Sequence, residues 1–235
     1  MNISSLYKKQ IPEHLNTENI LISLSDSVTK VLNKATNGSV HYSGMVQKIQ
    51  KTCLKPDIGC FVLFDGGFSG LVVLNFTAEA AMEIYSAYLL NMGMSQSDLA
   101  TVHTADEVSN VMGELMNQIV GDFTGRVQRA LQISITQSQP KMLVLNKQVI
   151  LSVDTNLDEP EIRRVSFYTS NNKAFYLELS MDKTEFIRVK DFEAEDAVDA
   201  DELLDQTKAN LNNASPAKAP AATYENDAEI DKLFD

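Results

Sequence analysis

Glu114 and Asn117 are the residues of this sequence whose types and spacing most clearly suggest chemistry. They are three positions apart, so on a helix their side chains are neighbours on one face. Neither has a His, Lys, Ser or Cys beside it that would make a nucleophile or a conventional acid–base pair. A carboxamide is neutral but can hold a water molecule by donating and accepting hydrogen bonds. This property suits phosphoryl hydrolysis, in which an amide commonly orients the attacking water. The alternative is a polar, solvated helix face.

The stretch from Thr104 to Leu131 is predicted to form one long amphipathic helix that carries both residues. Apolar residues recur at steps of three and four, which predicts one face in the core; they are Val108, Met112, Leu115, Ile119, Phe123 and Val127. The opposite face holds carboxamides, one carboxylate and glycines: Asn110, Glu114, Asn117, Gln118, Gly121 and Gly125. Each glycine costs a helix roughly 1 kcal/mol relative to alanine. Glycines there are favoured if something approaches the backbone closely, so this face is predicted to contact a partner.

The rest of the chain up to Val189 is predicted to add two helices and short strands in an α+β fold. The helices span Thr17–Ala35, with Thr17 as the N-cap, and the segment from Thr77 to about Met92. The strands are Val40–Gln50 with a bulge at Gly44, Cys60–Phe64, Gly70–Phe76, a segment at Ile133 and Ile135, Met142–Leu145, Val149–Val153, Arg163–Thr169, Phe175–Leu179 and Phe186–Val189. Asp65-Gly66-Gly67 is a hairpin signal. Strands joined by hairpins and separated by helices favour antiparallel pairing.

The composition changes at Asp191. From there to the end the chain has 13 acidic residues and 3 lysines, so this segment carries −10 of the net charge of −12. We predict a lead-in at 1–16, a folded domain at 17–190, a disordered acidic and alanine-rich linker at 191–225 and an amphipathic peptide at 226–235. The apolar residues of that peptide follow helical spacing and suit a groove on a partner; they are Ile230, Leu233 and Phe234. The alternative is a frayed tail with three chance hydrophobic residues.

Composition also argues against several classes of function. No basic run could neutralise phosphates, so nucleic-acid binding is not expected. No apolar run approaches the roughly 18 residues that span a bilayer, and the N-terminus lacks the apolar core of a signal peptide. Cys53 and Cys60 are predicted to be free thiols in a reducing cytoplasm, with a disulfide or metal pair as the weaker alternative. The histidines lack metal-ligand spacing. We expect a cytoplasmic protein without a membrane span, metal or cofactor of its own.

The spacing around Asn117 resembles the motif of the CheC/CheX/FliY family, whose members dephosphorylate the phospho-aspartate of chemotaxis response regulators. The family pattern is Asp or Ser, three residues, Glu, two residues, Asn, about 22 residues and Pro. Glu114, Asn117 and Pro140 match this pattern, and 22 residues separate the last two. Asn110 stands where the family has Asp or Ser. The resemblance covers about Thr17 to Val189 and implies a CheX-like domain with antiparallel sheet and a long central helix.

The resemblance also implies roles for individual residues. Asn117 would enter the regulator's active site and align water for in-line attack on the phosphoryl group. Glu114 would contact the regulator's invariant lysine, and Pro140 would shape a supporting strand connection. The partner-binding surface would further include Asn110, Gln118 and Gly121, with Gly121 letting the partner come close. The Mg²⁺ would belong to the phosphorylated receiver and not to this chain.

Two further expectations follow from the resemblance. The first predicted helix holds Glu18 and Asn33 at the wrong spacing, so only one motif copy is visible; this favours a CheX-like arrangement, which implies a homodimer. The segment from Ala228 to Phe234 resembles the peptide by which flagellar switch proteins such as FliM capture phosphorylated CheY. Joined through a flexible linker, it would raise the local concentration of a receiver near Asn117.

The main prediction is therefore a phosphatase acting on the aspartyl phosphate of a CheY-like receiver. The rival prediction is a non-catalytic receiver-binding adaptor or flagellar interaction protein of the same fold, which the Asn110 departure favours. A small-molecule enzyme is the weakest possibility, because the sequence shows no glycine-rich phosphate loop, metal cluster or nucleophile constellation.

Overall fold

The computed structural model describes residues 14–145, 149–153, 155–157 and 159–187. Within these ranges lie three α-helices and eleven strands. The helices are α1 (Thr17–Thr36), α2 (Ala78–Asn91) and α3 (Asp106–Leu131). The strands are β1 (His14–Leu15), β2 (His41–Lys48), β3 (Thr52–Leu54), β4 (Ile58–Gly66), β5 (Gly70–Phe76), β6 (Ile135–Gln137), β7 (Lys141–Val144), β8 (Leu151–Val153), β9 (Glu161–Tyr168), β10 (Ala174–Met181) and β11 (Phe186–Ile187). The predicted linker and C-terminal peptide lie outside the described residues, and the domain boundaries stay predictions.

A seven-stranded antiparallel sheet forms the centre of the fold. Its order is β2-β9-β10-β5-β4, and β6 and β7 both pair with β4 at the far edge. Strand β5 is buried along its whole length, as expected of a central strand that is covered on both faces. The three helices pack on one face, where their apolar residues and those of the sheet form one core. The ribbon β3/β8 adds a smaller apolar cluster that includes Leu71 and Val73 of β5. The predicted α+β class with antiparallel pairing is confirmed.

The N-cap of helix α1 lies one residue earlier than the sequence predicted. The predicted N-cap, Thr17, is wrong: Asn16 is the cap, and its side chain accepts a hydrogen bond from the Asn19 backbone N–H at 3.1 Å. The Asn19 side chain accepts one from the Asn16 backbone in return, also at 3.1 Å. A reciprocal box of this kind satisfies two backbone donors, which a lone Thr17 could not do. The bulge predicted at Gly44 is confirmed by a register shift between Tyr42 and Val46.

Helix α3 is the long amphipathic helix that the periodicity predicted. All six apolar residues of the predicted stripe are buried, and the helix starts two residues later than expected. Asp122 joins it to α1. The Asp122 carboxylate accepts hydrogen bonds from Ser27 at 2.8 Å and Lys30 at 2.7 Å on α1, and from Arg126 at 2.7 Å on α3 itself. This cluster fixes the side-by-side packing of the two helices.

Strands β6 and β7 form one edge of the sheet that is interrupted by a bulge. Gln137 of β6 pairs with Phe64, and Lys141 of β7 pairs with Phe61. Three residues, 138–140, therefore lie opposite only two residues of β4. This arrangement is a β-bulge, which shifts the alternation of side chains beyond it by one position.

The bulge brings side chains from both strands to the helix-facing side. Gln137 lies on the same side as its partner Phe64, and Met142 on the same side as its partner Cys60; both partners are buried in the helix-facing core. Without a bulge, two residues five positions apart would point to opposite faces. Pro140 sits in the interruption, where its missing N–H costs the ladder nothing. The edge strand thus presents Gln137 and Met142 towards α3.

Candidate functional site

The polar face of α3 is exposed in the structure. Asn110, Glu114, Asn117, Gln118 and Gly121 are all exposed, whereas their apolar neighbours Leu115, Met116, Ile119 and Val120 are buried. Because this arc follows from the helical repeat, the sequence placed these residues correctly on one surface. Their role in binding or catalysis stays a prediction.

A groove of about 330 Å³ runs between this face and the strand connection that contains Pro140. Its lining comes from α3 and from the β6–β7 segment: Ser109, Asn110, Gly113, Glu114, Asn117, Gln139, Pro140 and Met142. The structure thus brings together all four motif positions, although Pro140 is distant from the others in sequence. Gln118 and Gly121 lie outside the groove lining on the same exposed face.

The Glu114 carboxylate is held by a neighbouring amide and is available to a cation. Gln118 Nε2 donates a hydrogen bond to Glu114 Oε1 at 3.0 Å, one helical turn away. Within the described part of the chain, no lysine, arginine or histidine forms an ion pair with Glu114. An ionised carboxylate has several lone pairs, so one bond from Gln118 leaves room for a second donor.

The Asn117 carboxamide is fixed by a residue that the sequence analysis missed. Gln137 Nε2 donates to Asn117 Oδ1 at 3.0 Å, so a strand side chain reaches across to the helix. A signal for Gln137 did exist. It continues the alternation of Ile133 and Ile135, and therefore falls in the apolar register of its strand. A polar residue in that register needs a partner on the buried side.

Gly121 has no structural need to be a glycine. A Cβ added there would meet no atom within 4 Å among the described residues, and its φ is not in the left-handed region. At Gly113, by contrast, an added Cβ would contact Met142 Cγ at 3.4 Å. A glycine in the middle of a helix lowers helix stability relative to alanine. The open space above Gly121 allows a partner to approach the helix backbone closely.

Asp122 is the centre of a cluster of charged side chains one helical turn from Gln118. Partial burial alone would raise the pKa of its carboxyl, but hydrogen bonds from Lys30 and Ser27, with the charges of Arg126 and Lys30, outweigh this effect. The pKa therefore lies below its ordinary value of 3.8. The carboxylate stays ionised at neutral pH and is fully occupied by the contacts that join α1 to α3. Its role is structural.

Other predictions concern the cysteines, metal binding and membrane crossing. Cys53 and Cys60 are both buried free thiols, and burial raises the pKa of the Cys60 thiol. Across the ranges that the structure describes, no group of three or more His, Cys, Asp or Glu side chains is arranged to hold a metal ion. No helix in those ranges has the length and apolarity needed to cross a membrane. The remaining predicted site residues, Ile230, Leu233 and Phe234, lie outside the described residues.

Comparison with known proteins gives the family. A family model described as "Protein of unknown function (DUF3334)" matches residues 11–235. The chain belongs to this family. No curated protein sequence matches the DUF3334 chain.

Solved structures identify the fold of the DUF3334 chain. A chemotaxis protein CheX from Desulfovibrio desulfuricans superposes with a TM-score of 0.57 at 18% identity, over 69% of this chain and 99% of that one. A CheC-like superfamily protein from Shewanella sp. PV-4 gives 0.58 at 15% identity, over 72% and 99%. A chain of the CheX–CheY–BeF₃–Mg²⁺ complex from Borrelia burgdorferi gives 0.50 at 15% identity, over 70% and 98%. The predicted resemblance to the CheC/CheX/FliY family is thus confirmed at the level of the fold.

Proposed function

We propose that this protein hydrolyses the phospho-aspartate of a CheY-like receiver domain. The observation that carries the proposal is the groove, in which Asn110, Glu114, Asn117 and Pro140 meet on the exposed face of α3. Pro140, which is distant in sequence, meets the three motif positions of α3 at one surface of a domain with the CheX fold. The complex of a structurally similar CheX with CheY, BeF₃ and Mg²⁺ supports a receiver as the partner.

Asn117 is proposed to position the attacking water. Asn117 is exposed on α3, so this face of the helix can enter the active site of the receiver and bring the carboxamide close to the phosphoryl group. The water oxygen attacks phosphorus opposite the acyl oxygen, the bond from phosphorus to that oxygen breaks, and its electron pair stays on the aspartate carboxylate. Both water protons leave with the phosphate as H₂PO₄⁻. A neutral amide can serve this step because the acyl phosphate has a good leaving group and the reaction depends on alignment.

Glu114 and Gly121 are proposed to bind the receiver. Among the described residues, only Gln118 donates a side-chain hydrogen bond to the Glu114 carboxylate. This carboxylate would accept a hydrogen bond from the ammonium group of the receiver's invariant lysine. The open space over Gly121 would admit the receiver backbone. Asn110 and Gln118 would complete the contact. The Mg²⁺ is part of the substrate, because it is bound by the phosphorylated receiver; we propose that this chain needs no metal of its own.

The test is phosphate release from a receiver loaded with Mg²⁺ and acetyl phosphate. Wild-type protein is expected to accelerate release, and Asn117→Ala is expected to lose most of that acceleration. Gln128→Ala is the matched control, because Gln128 is an exposed carboxamide on α3 that does not line the groove. If wild type and Asn117→Ala release phosphate at the same rate, the catalytic proposal fails.

A non-catalytic receiver-binding adaptor is the second candidate, and Asn110 is the observation that favours it. Asn110 lines the groove at the position where the family has Asp or Ser, so the chemistry of that corner differs from the family pattern. Saturable binding of the receiver loaded with Mg²⁺ and BeF₃⁻, without faster dephosphorylation, would identify the adaptor. Asn110→Asp and Asn110→Ser then test whether this position limits turnover.

The C-terminal peptide is proposed to capture the receiver. Tethering adds the same binding free energy to ground state and transition state, so it lowers KM without changing kcat. Replacing Ile230, Leu233 and Phe234 by alanine is expected to raise KM for the receiver several-fold at constant kcat, and this variant keeps the tail length and charge. An unchanged KM removes the docking role. The homodimer and the cytoplasmic location stay predictions; light scattering of the purified protein tests the first.

A further inference from the structure

We propose that Gln137 is a positioning residue that sets the orientation of the Asn117 carboxamide. This inference deepens the proposed function and rests on it. Gln137 does not line the groove and has no place in the motif; it would act through Asn117 alone.

The geometry that supports the proposal is the register of β6 together with the bulge at residues 138–140. Pairing with the buried Phe64 puts Gln137 on the helix-facing side of the edge strand, and the bulge brings Met142 back to that side, where it lines the groove with Pro140. From that position the Gln137 side chain spans the gap between sheet and helix and meets Asn117 Oδ1 at 3.0 Å. The contact therefore depends on the sheet register and not on the conformation of a surface loop.

The direction of the hydrogen bond determines what Asn117 can offer to a substrate. Because Gln137 Nε2 donates, it occupies one lone pair of Asn117 Oδ1 and stops the amide from turning freely about its terminal torsion. A water that attacks phosphorus must point a lone pair at the phosphorus and donate hydrogen bonds in other directions. The second lone pair of Asn117 Oδ1 is left to accept one of these hydrogen bonds. Without Gln137, the amide could rotate and present its N–H₂ group, which cannot accept.

Gln137 is held in place at a cost to the fold. Its other amide atom, Oε1, is buried and has no hydrogen-bond partner among the described residues. Its neighbour in the same strand register, Ile135, is a buried core residue. An apolar side chain at position 137 would remove the unpaired acceptor and extend that core. A polar residue kept in this position is explained by its bond to Asn117 and not by stability.

The test is the Gln137→Met variant, which preserves length and flexibility but removes the donor. We expect kcat for receiver dephosphorylation to fall about 10- to 100-fold, as for a misplaced catalytic group. KM, and Kd for a receiver loaded with Mg²⁺ and BeF₃⁻, should stay within about twofold. The urea midpoint of unfolding should be unchanged or higher, because the buried unpaired oxygen is gone. A residue with a purely structural role would instead lower the midpoint. Gln128→Met is the matched control and should behave as wild type.

A double-mutant cycle separates this inference from the proposed function. If Gln137 acts only through Asn117, the double variant Asn117→Ala with Gln137→Met should be no slower than Asn117→Ala alone. A further loss of rate in the double variant overturns the inference, and so does full kcat in Gln137→Met; in both cases the function of Asn117 stands. If Asn117→Ala itself has wild-type kcat, the proposed function fails, and the inference fails with it.

Discussion

Helices α1 and α3 lie side by side and both carry a glutamate and an asparagine, but they use these residues differently. On α1 the Asn33 carboxamide closes a local loop: its Nδ2 donates to the Val40 carbonyl at 3.0 Å, and its Oδ1 accepts from the Val40 backbone N–H. Glu18 accepts a hydrogen bond from Arg163 at 2.8 Å, and the Arg163 side chain is only 6% exposed. Both α1 residues hold separate parts of the chain together, although the Glu18 side chain stays 47% exposed.

On α3 the same two residue types are turned outwards. Glu114 and Asn117 are exposed, and each accepts a hydrogen bond from one glutamine carboxamide. Gln118 donates to Glu114, and Gln137 donates to Asn117. Neither contact ties down the backbone or neutralises a charge. Residue type alone is therefore weak evidence for a site. The useful distinction is whether the hydrogen-bonding capacity of the side chain is consumed inside the fold or left for a partner.

The largest expected effect is the contrast between the two asparagines. Asn117→Ala should lower kcat about 100-fold or more while changing the free energy of unfolding by no more than about 0.5 kcal/mol, because Asn117 is exposed. Asn33→Ala should do the reverse: a loss of stability of about 1–3 kcal/mol from the two Val40 bonds, with kcat unchanged. Urea unfolding and single-turnover phosphate release measure both. A destabilised Asn117→Ala variant with normal kcat would break the comparison.

The second effect concerns Asp122, which lies on α3 next to the exposed face but serves α1. Asp122→Asn should lower stability by about 2 kcal/mol at about pH 7, because it weakens charge-assisted bonds to Lys30 and Arg126. The folded pKa is depressed, so the Asp122 contribution is fully present above the ordinary value of 3.8 and is lost as pH falls through the lower folded value. The stability gap between variant and wild type should therefore shrink at strongly acidic pH. A gap that grows on acidification would contradict this assignment.

The two glutamates should differ in the same sense as the asparagines, by a smaller factor. Glu114→Gln is expected to raise KM for the receiver about tenfold, because it removes the charge that pairs with the receiver's lysine. Glu18→Gln should leave KM unchanged and cost roughly 1 kcal/mol of stability, since Arg163 keeps a second carboxylate, Glu161, at 3.4 Å. The salt dependence of KM checks the assignment, because Glu114→Gln should weaken it and Glu18→Gln should not.

The smallest effect is expected at the α3 glycines. Gly121→Ala should stabilise the protein by about 0.5–1 kcal/mol, since an added methyl meets open space, and should weaken receiver binding several-fold. Gly125→Ala is the matched control: its added Cβ makes only an ordinary contact with Arg129 at 3.6 Å, so it should gain stability without affecting binding. Calorimetry of unfolding and titration with the Mg²⁺- and BeF₃⁻-loaded receiver give the two readouts. Equal binding by both variants would remove Gly121 from the interface.

Much of the fold could be predicted because its long elements have strong periodicity. Helix α3 was placed to within two residues, and β5 was predicted with its observed ends, Gly70 and Phe76. The strands β1 and β3 were missed because two or three residues show no measurable alternation. The exposed polar face of α3 was also predictable, since it follows from the helical repeat alone.

The groove and the identity of the partner of Gln137 could not be predicted, because they depend on strand register. The alternation through Ile135 indicates the face on which Gln137 lies. No local pattern indicates that residues 138–140 lie opposite two residues of β4, and this offset decides which way Met142 points. The same holds for Asn33 and Glu18, whose partners, Val40 and Arg163, are set by tertiary packing. Sequence reasoning identified the residues that could do chemistry; only the structure shows which of them are free.

The number of residues between Asn117 and Pro140 is matched to the distance that the chain must cover. Helix α3 continues 14 residues beyond Asn117, which carries the chain about 21 Å away at 1.5 Å per residue. The six residues that follow Leu131, 132–137, can return at most about 20 Å, when fully extended. The length of helix beyond Asn117 and the reach of the return segment are nearly equal, so Gln137 lies beside Asn117. A DUF3334 chain that lengthened α3 by one turn would need between one and two extra residues on the return path to keep its groove.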